Sequence, residues 1–195
     1  MRSASFDRAE VIEKITDAFW ENGYEATSIG ILEGATGLKR QSLYNTFGNK
    51  DAMFEIAIAH YEAEVSMDLL DAFSDDDPLT AIATFFATQA ATLLDPSRPS
   101  GCLVAGAQQE LANRDGELGE RMSGLTEEQY DTLVAAFERW RDAGKLTEDA
   151  DPEDVAAIMM AQMRGQSVLG RSSRGRALIE RSARAMPALF ERYLA

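Results

Sequence analysis

The stretch ATSIGILEGATGLKRQSLYNTFGNK, residues 26–50, decides how this chain is read. Two short helical segments flank Gly37, which suits a tight turn. Thr27 or Ser28 can cap the first segment, because a short hydroxyl side chain accepts a hydrogen bond from an otherwise unpartnered helix N–H. The second segment, from about Lys39 to Phe47, sets Leu38, Leu43 and Phe47 on its inner side. Lys39, Arg40, Gln41, Ser42, Asn45 and Thr46 fall on its outer side. A helix that enters the major groove of double-stranded DNA needs this division. Arg pairs with guanine edges, and Gln or Asn with adenine edges. Tyr44 can give its hydroxyl to a phosphate. Lys50 opens the next helix, where its charge and the free backbone N–H groups both favour phosphate.

Outward from this stretch the chain turns acidic. The formal net charge over 195 residues is -14. Residues 1–50 carry six Lys/Arg against seven Asp/Glu, whereas the remaining residues carry thirteen against twenty-six. An acidic surface repels DNA, so the near-neutral end is the one that faces the phosphates. Cys102 is the single cysteine, which excludes an intramolecular disulfide and fits a reducing compartment. The opening MRSASFDRAEV lacks the apolar run of a signal peptide. No apolar stretch approaches the roughly eighteen residues that span a bilayer. The expectation is a soluble, cytoplasmic protein with no membrane partner. His60 stands without a Cys, His or acidic cluster at ligand spacing, so neither a metal nor a cofactor is expected. There is no nucleophile–His–acid set and no phosphate loop, which argues against an enzyme.

Apolar residues recur at helical spacing almost throughout, with no sustained strand alternation, so the fold class is all-α. Phe6, Ile12, Ile15 and Phe19 share a face of a first helix that Gly23 closes. A fourth helix runs from Lys50 to about Phe73. Asp77-Pro78 and Asp151-Pro152 each pair a capping residue with a proline at the first helical position, starting helices that reach about Leu94 and Gly170. Between them lie helices over about Cys102 to Arg114 and Glu117 to Ala143. Arg171 to Gly175 reads as a loop, and a last helix covers about Arg176 to Leu194. The count is about nine.

Thr27-Ser28-Ile29, Gly37-Leu38, Ser42-Leu43-Tyr44, Phe47 and Asn49-Lys50, continued by Asp51-Ala52-Met53-Phe54, resemble the TetR/AcrR family of bacterial transcriptional regulators. In outline the resemblance covers the whole chain, and its motifs lie within residues 6–54. It implies a three-helix helix-turn-helix DNA-binding domain, residues 1–50, joined to a helical ligand-binding and dimerisation domain, residues 51–195. Thr27 and Ser28 join Lys39, Arg40, Gln41, Ser42, Tyr44, Asn45, Thr46 and Lys50 as the DNA-binding candidates. The implied function is that of a ligand-responsive repressor released from a palindromic operator by a small apolar or aromatic effector. The alternative is a small-molecule-binding module of the same fold that no longer reads DNA. Three departures bear on that choice. Glu33 stands where the family usually has a small alanine, and Lys39 where a serine cap is common. Gly30 and Gly34 each cost about 1 kcal/mol of helix stability relative to alanine. A loose second helix or an unusual packing angle is the expectation.

In the body, the last helix carries Leu178, Ser182, Ala185, Leu189 and Tyr193 on one face, with Ile179, Met186 and Phe190 beside it. So wide an apolar surface is buried twice, in its own core and against a partner. The helix before it offers Val155, Ile158 and Gln162, so two helices from each subunit predict a four-helix homodimer bundle. The resemblance places the effector pocket within the fourth to eighth helices. The candidates there are Phe85, Phe86, Gln89, Cys102, Gln109, Met122, Tyr130, Phe137, Trp140, Met159 and Met163. The five arginines between Arg171 and Arg184 read as a solvated face, with Arg176, Glu180 and Arg184 at i, i+4 spacing.

Overall fold

A computed structural model describes residues 6–195, apart from Ala112 and Ser173, with residues 66–68 described in their backbone only. Residues 1–5, Ala112 of the sixth expected helix and Ser173 of the expected loop lie outside the described residues. Among the described residues ten α-helices follow one another: α1 Arg8–Asn22, α2 Ile29–Thr36, α3 Arg40–Phe47, α4 Lys50–Tyr61, α5 Met67–Asp71, α6 Pro78–Leu94, α7 Leu103–Leu111, α8 Glu117–Asp142, α9 Pro152–Leu169 and α10 Gly175–Phe190. Among the described residues the only β pairing is a single bridge between Leu146 and Leu194.

Local chemistry sets most of the helix ends. Asp7, Ser28, Asn49, Asp77 and Asp151 each cap a helix by accepting a backbone N–H. Pro78 and Pro152 follow two of these caps, as their spacing predicts. Phe6 precedes the first helix rather than belonging to it, and packs its ring 6.4 Å from that of Phe47. The long fourth helix is not continuous. It passes through a π turn at Glu62–Ser66, the short α5 and a 3-10 turn at Ala72–Ser74. Through this kink Tyr61 and Val65 stay buried in one core and Phe73 enters another.

Two main cores result. The first joins Val11, Ile15 and Phe19 of α1, Leu32 of α2, Leu43 and Phe47 of α3, and Met53, Phe54 and Ile58 of α4. It extends into α7 through Leu103, Val104 and Leu111, and into the start of α8 through Leu118, Met122 and Leu125. The second joins α6, the far half of α8, α9 and the end of α10. At 26 residues, α8 is about 39 Å long and serves both cores.

Candidate nucleic-acid interface

The helix-turn-helix is built by its inward side chains. Leu32, Leu43 and Phe47 are buried between α1, α2 and α3. Gly37 takes the left-handed conformation at φ 72° and donates its N–H to the Glu33 carbonyl, closing α2. Thr36 donates to the Leu32 carbonyl at 2.6 Å and accepts from Leu38 N–H at 3.2 Å, which holds the turn. With the inner side fixed, α3 turns Lys39, Arg40, Gln41, Tyr44 and Asn45 to solvent, while Ser42 and Thr46 are half-buried. Gln41 Nε2 donates to Asn45 Oδ1 at 2.8 Å, so the two exposed amides are aligned along the helix. Tyr44, 40% exposed, is among the few large apolar residues left in solvent.

Thr27 departs from the candidate set. Its side chain is fully buried, and its hydroxyl donates to the Gly23 carbonyl at 2.6 Å. The cap is Ser28, whose Oγ accepts from Ile31 N–H at 3.3 Å, so Thr27 shapes the entry to α2 from inside. Lys50 lies with Nζ 4.3 Å from the Tyr24 ring centre and 3.3 Å from the Glu25 carbonyl. Arg8 was not among the candidates. Its guanidinium sits 4.9 Å from the Phe47 ring, adding a cation beside α3. Its signal in the sequence is a lone basic residue in the first turn of a helix that packs on the turn motif. α2 is tied directly to α3. Glu33 reaches across the turn, with Oε1 2.9 Å from the N–H of Arg40.

Side chains of the body grip the head. Glu110 of α7 accepts the N–H of Glu25 at 2.9 Å. Arg171, after α9, donates to the Trp20 carbonyl at 3.1 Å, and Trp20 donates to the Gly101 carbonyl at 3.1 Å. Arg114 pairs with Asp51 at 3.1 Å, and the Tyr24 hydroxyl donates to the same carboxylate. Burial, reinforced by that Asp51 bond, pushes the Tyr24 phenol above its ordinary value, so the donor proton stays in place. These contacts fall on the end of α1, the turn before α2 and the start of α4.

The eleven effector candidates do not surround one cavity. Phe85, Phe86, Phe137, Trp140, Met159 and Met163 are buried core of the second cluster. Phe85 and Phe86 pack edge to face at 5.3 Å, as do Phe137 and Trp140 at 5.2 Å. Tyr130 packs on the margin of this core and donates to the Glu153 carbonyl at 3.2 Å. Met122 belongs to the first core and lines a hollow of about 260 Å³ with Ile58, Ala59, Glu55 and Arg121. Cys102 and Gln109 line another, of about 150 Å³, with Glu110 and Arg171 among its walls. Gln89 is buried and donates Nε2 to the Met163 carbonyl at 3.1 Å, while its Oε1 has no partner among the described residues.

Of the residues expected to meet a second subunit, fewer are exposed than the pattern predicts. Val155 and Met186 are core residues. Ser182 is spent internally, accepting from Gln166 Nε2 at 2.9 Å. Ile158, Gln162 and Tyr193 are half-buried at its edges, and Ala185 is exposed. Leu178 and Leu189 are each 45% exposed, and Val168 of α9, which the sequence pattern did not single out, is 54% exposed. Ala157, Ala161 and Gly165 lie exposed along α9, so a neighbouring helix can approach closely. Of the five arginines, Arg171 is committed to Trp20, and Arg176 pairs with Glu180 at 3.6 Å.

This fold, with its row of donors on a braced second helix, defines a helix-turn-helix DNA-binding regulator. Residues 11–57 match the profile of the bacterial regulatory proteins of the tetR family, and residues 78–186 that of the tetracyclin repressor-like C-terminal domain. The chain belongs to the TetR family of transcriptional regulators. It is 26% identical over 172 residues to the HTH-type transcriptional repressor ComR of Escherichia coli, covering 87% of this chain and 82% of ComR. It is 30% identical over 158 residues to the uncharacterised HTH-type regulator YezE of Bacillus subtilis, covering 80% of each. Among solved structures it is similar to the TetR-family regulator CifR, a cysteine mutant complexed with 26-base-pair operator DNA. There the identity is 27%, the TM-score 0.79, and the coverage 96% of this chain and 100% of the other. A regulator from Chloroflexus aurantiacus shares the fold at TM-score 0.83 and 19% identity, covering 96% of this chain and 95% of that one. The chain is thus a DNA-binding transcriptional regulator of the repressor type, acting as a dimer. No helix among the described residues is long and apolar enough to cross a membrane.

Proposed function

We propose that this protein is a cytoplasmic homodimeric repressor that occupies a palindromic operator and leaves it when a small apolar or aromatic effector binds residues 51–195. The observation that carries this reading is the exposed row Lys39, Arg40, Gln41, Tyr44 and Asn45 on a helix whose inner side is fixed by buried Leu43 and Phe47. Two such helices, one per subunit, enter successive major grooves about 34 Å apart. In this reading Arg40, Gln41 and Asn45 meet base edges, whereas Ser28, Lys39, Ser42, Tyr44, Thr46 and Lys50 meet the phosphate backbone.

An effector acts only through a difference in affinity between two arrangements of the dimer. The hollow beside Cys102 and Gln109 has Glu110 and Arg171 in its wall, and both hold the head. An occupant there changes the grip on the turn before α2. The hollow beside Met122 adjoins α4 directly.

The test is fluorescence anisotropy of the purified dimer with labelled duplexes from upstream of its own gene, against random-sequence DNA of equal length. Specific binding that small aromatic compounds reverse is the expected result. Equal affinity for both duplexes at low salt would sink this reading.

A further inference from the structure

α3 begins without a cap of its own. The first N–H groups of any helix lack intrahelical partners, and Ser, Thr, Asp or Asn at the N-cap normally supplies one. Lys39 occupies that position and makes no side-chain capping bond. Glu33 supplies the acceptor instead, from the last turn of α2, with Oε1 2.9 Å from Arg40 N–H. The carbonyl of the same residue accepts the Gly37 N–H at 2.9 Å. Glu33 therefore closes α2 with its backbone and opens α3 with its side chain. A carboxylate at a helix N-terminus is also favoured by the helix dipole.

We infer that Glu33 is a positioning residue for DNA recognition, because its carboxylate caps α3 across the turn and so fixes the angle at which Arg40 and Gln41 meet the groove. The two departures at positions 33 and 39 become a matched pair. The chain forgoes a short capping residue at 39, keeps a cation there for phosphate, and takes the cap from the preceding helix. A second consequence is that the Arg40 N–H is already bonded to a carboxylate. That N–H is thereby withdrawn from phosphate, so more of the anchoring falls to Lys39 and Lys50. The negative charge at the groove edge also disfavours DNA that is bound without base contacts.

The inference rests on the reading of α3 as the DNA-contacting helix, and the experiment separates the two. Anisotropy is measured for the full-length dimer with the upstream duplex and with random-sequence duplex, for wild type, Glu33→Ala, Glu33→Gln, Lys39→Ser and the Glu33→Ala/Lys39→Ser double variant. Amide exchange of Arg40 is followed in the absence of DNA. Glu33→Ala is expected to lose about tenfold in specific affinity, the size of a lost cap. Its affinity for random DNA rises, because a charge has gone, whereas a merely structural loss would lower both. Glu33→Gln keeps an acceptor and retains specific binding within about threefold. In the Lys39→Ser background the serine accepts from the Gln41 or Ser42 N–H and holds the start of α3 by a second route, so the added cost of Glu33→Ala shrinks to under about threefold. Faster exchange of the Arg40 amide accompanies Glu33→Ala. An equal cost in both backgrounds, a parallel fall on both duplexes, or unchanged Arg40 exchange would overturn the inference. Absence of specific binding by wild type would overturn the reading of α3 and this inference with it.

Discussion

The head and the α9–α10 face both leave large apolar side chains in solvent, but in different company. In the head, Ile31 and Tyr44 stand exposed beside Arg40, Gln41 and Asn45, so the surface mixes carbon with donors. On the body, Val168, Leu178 and Leu189 stand exposed beside Ala157, Ala161, Gly165 and Ala185. Donors around a ring suit a polyanion whose edges accept hydrogen bonds. Leucines among small residues suit a copy of the same helices packed closely. In the function proposed, the first surface derives its strength from charge and is weakened by salt, whereas the second derives it from area removed from water and is not.

The largest effect is expected where this contrast is attacked on the body. Leu178→Asp combined with Leu189→Asp should yield a folded monomer by sedimentation. Its operator affinity should fall by more than about a hundredfold, since two linked heads bind far more tightly than one. A dimer that persists would place the interface elsewhere. Next comes Lys50→Ala, which should weaken operator binding about tenfold and make the slope of log affinity against log salt shallower by about 0.9. Tyr44→Phe should cost about three- to fivefold with no change in that slope, because it removes a hydrogen bond and no charge. A slope unchanged by Lys50→Ala would remove that residue from the phosphate contacts. Thr27→Val should leave DNA affinity unaltered while costing about 1 kcal/mol of stability in urea unfolding, the size of a lost buried hydrogen bond. An effect on binding larger than on stability would return Thr27 to the interface.

Much of this was legible in the residues, and the exceptions share a cause. Asp77-Pro78 and Asp151-Pro152 mark the starts of α6 and α9 because capping and proline chemistry are local. Leu43 and Phe47 mark the inner side of α3 because helical spacing is local too. The π turn at Glu62–Ser66 carries no proline or glycine, and it arises where one segment must serve two cores at once. Thr27 and Ser28 are equivalent as caps in the sequence, and only the packing of α1 against α2 turns one inward. Phe85, Phe137 and Trp140 have the composition of a ligand wall and the packing of a core. Residue type does not separate those roles, because both are apolar. Glu33 was visible as an oddity, but its partner is a backbone group seven residues on, across a turn whose geometry must be known first.

Gly23 carries a consequence for engineering. It sits at φ 79° with the Glu110 carboxylate against it, so a methyl group there would lie 2.2 Å from Oε1. The head thus leaves room at this point for a side chain of the body. A chimaera that transplants residues 1–50 onto another regulator's body inherits the notch without the side chain that fills it. A heterologous head with any other residue at position 23, grafted here, strains the backbone at φ 79° and pushes the flexible Glu110 carboxylate off the Glu25 N–H. Swapping operator specificity among such proteins therefore calls for keeping Gly23 with Glu110, whereas the Arg171 bond, made to a main-chain carbonyl, survives a change of side chain at position 20.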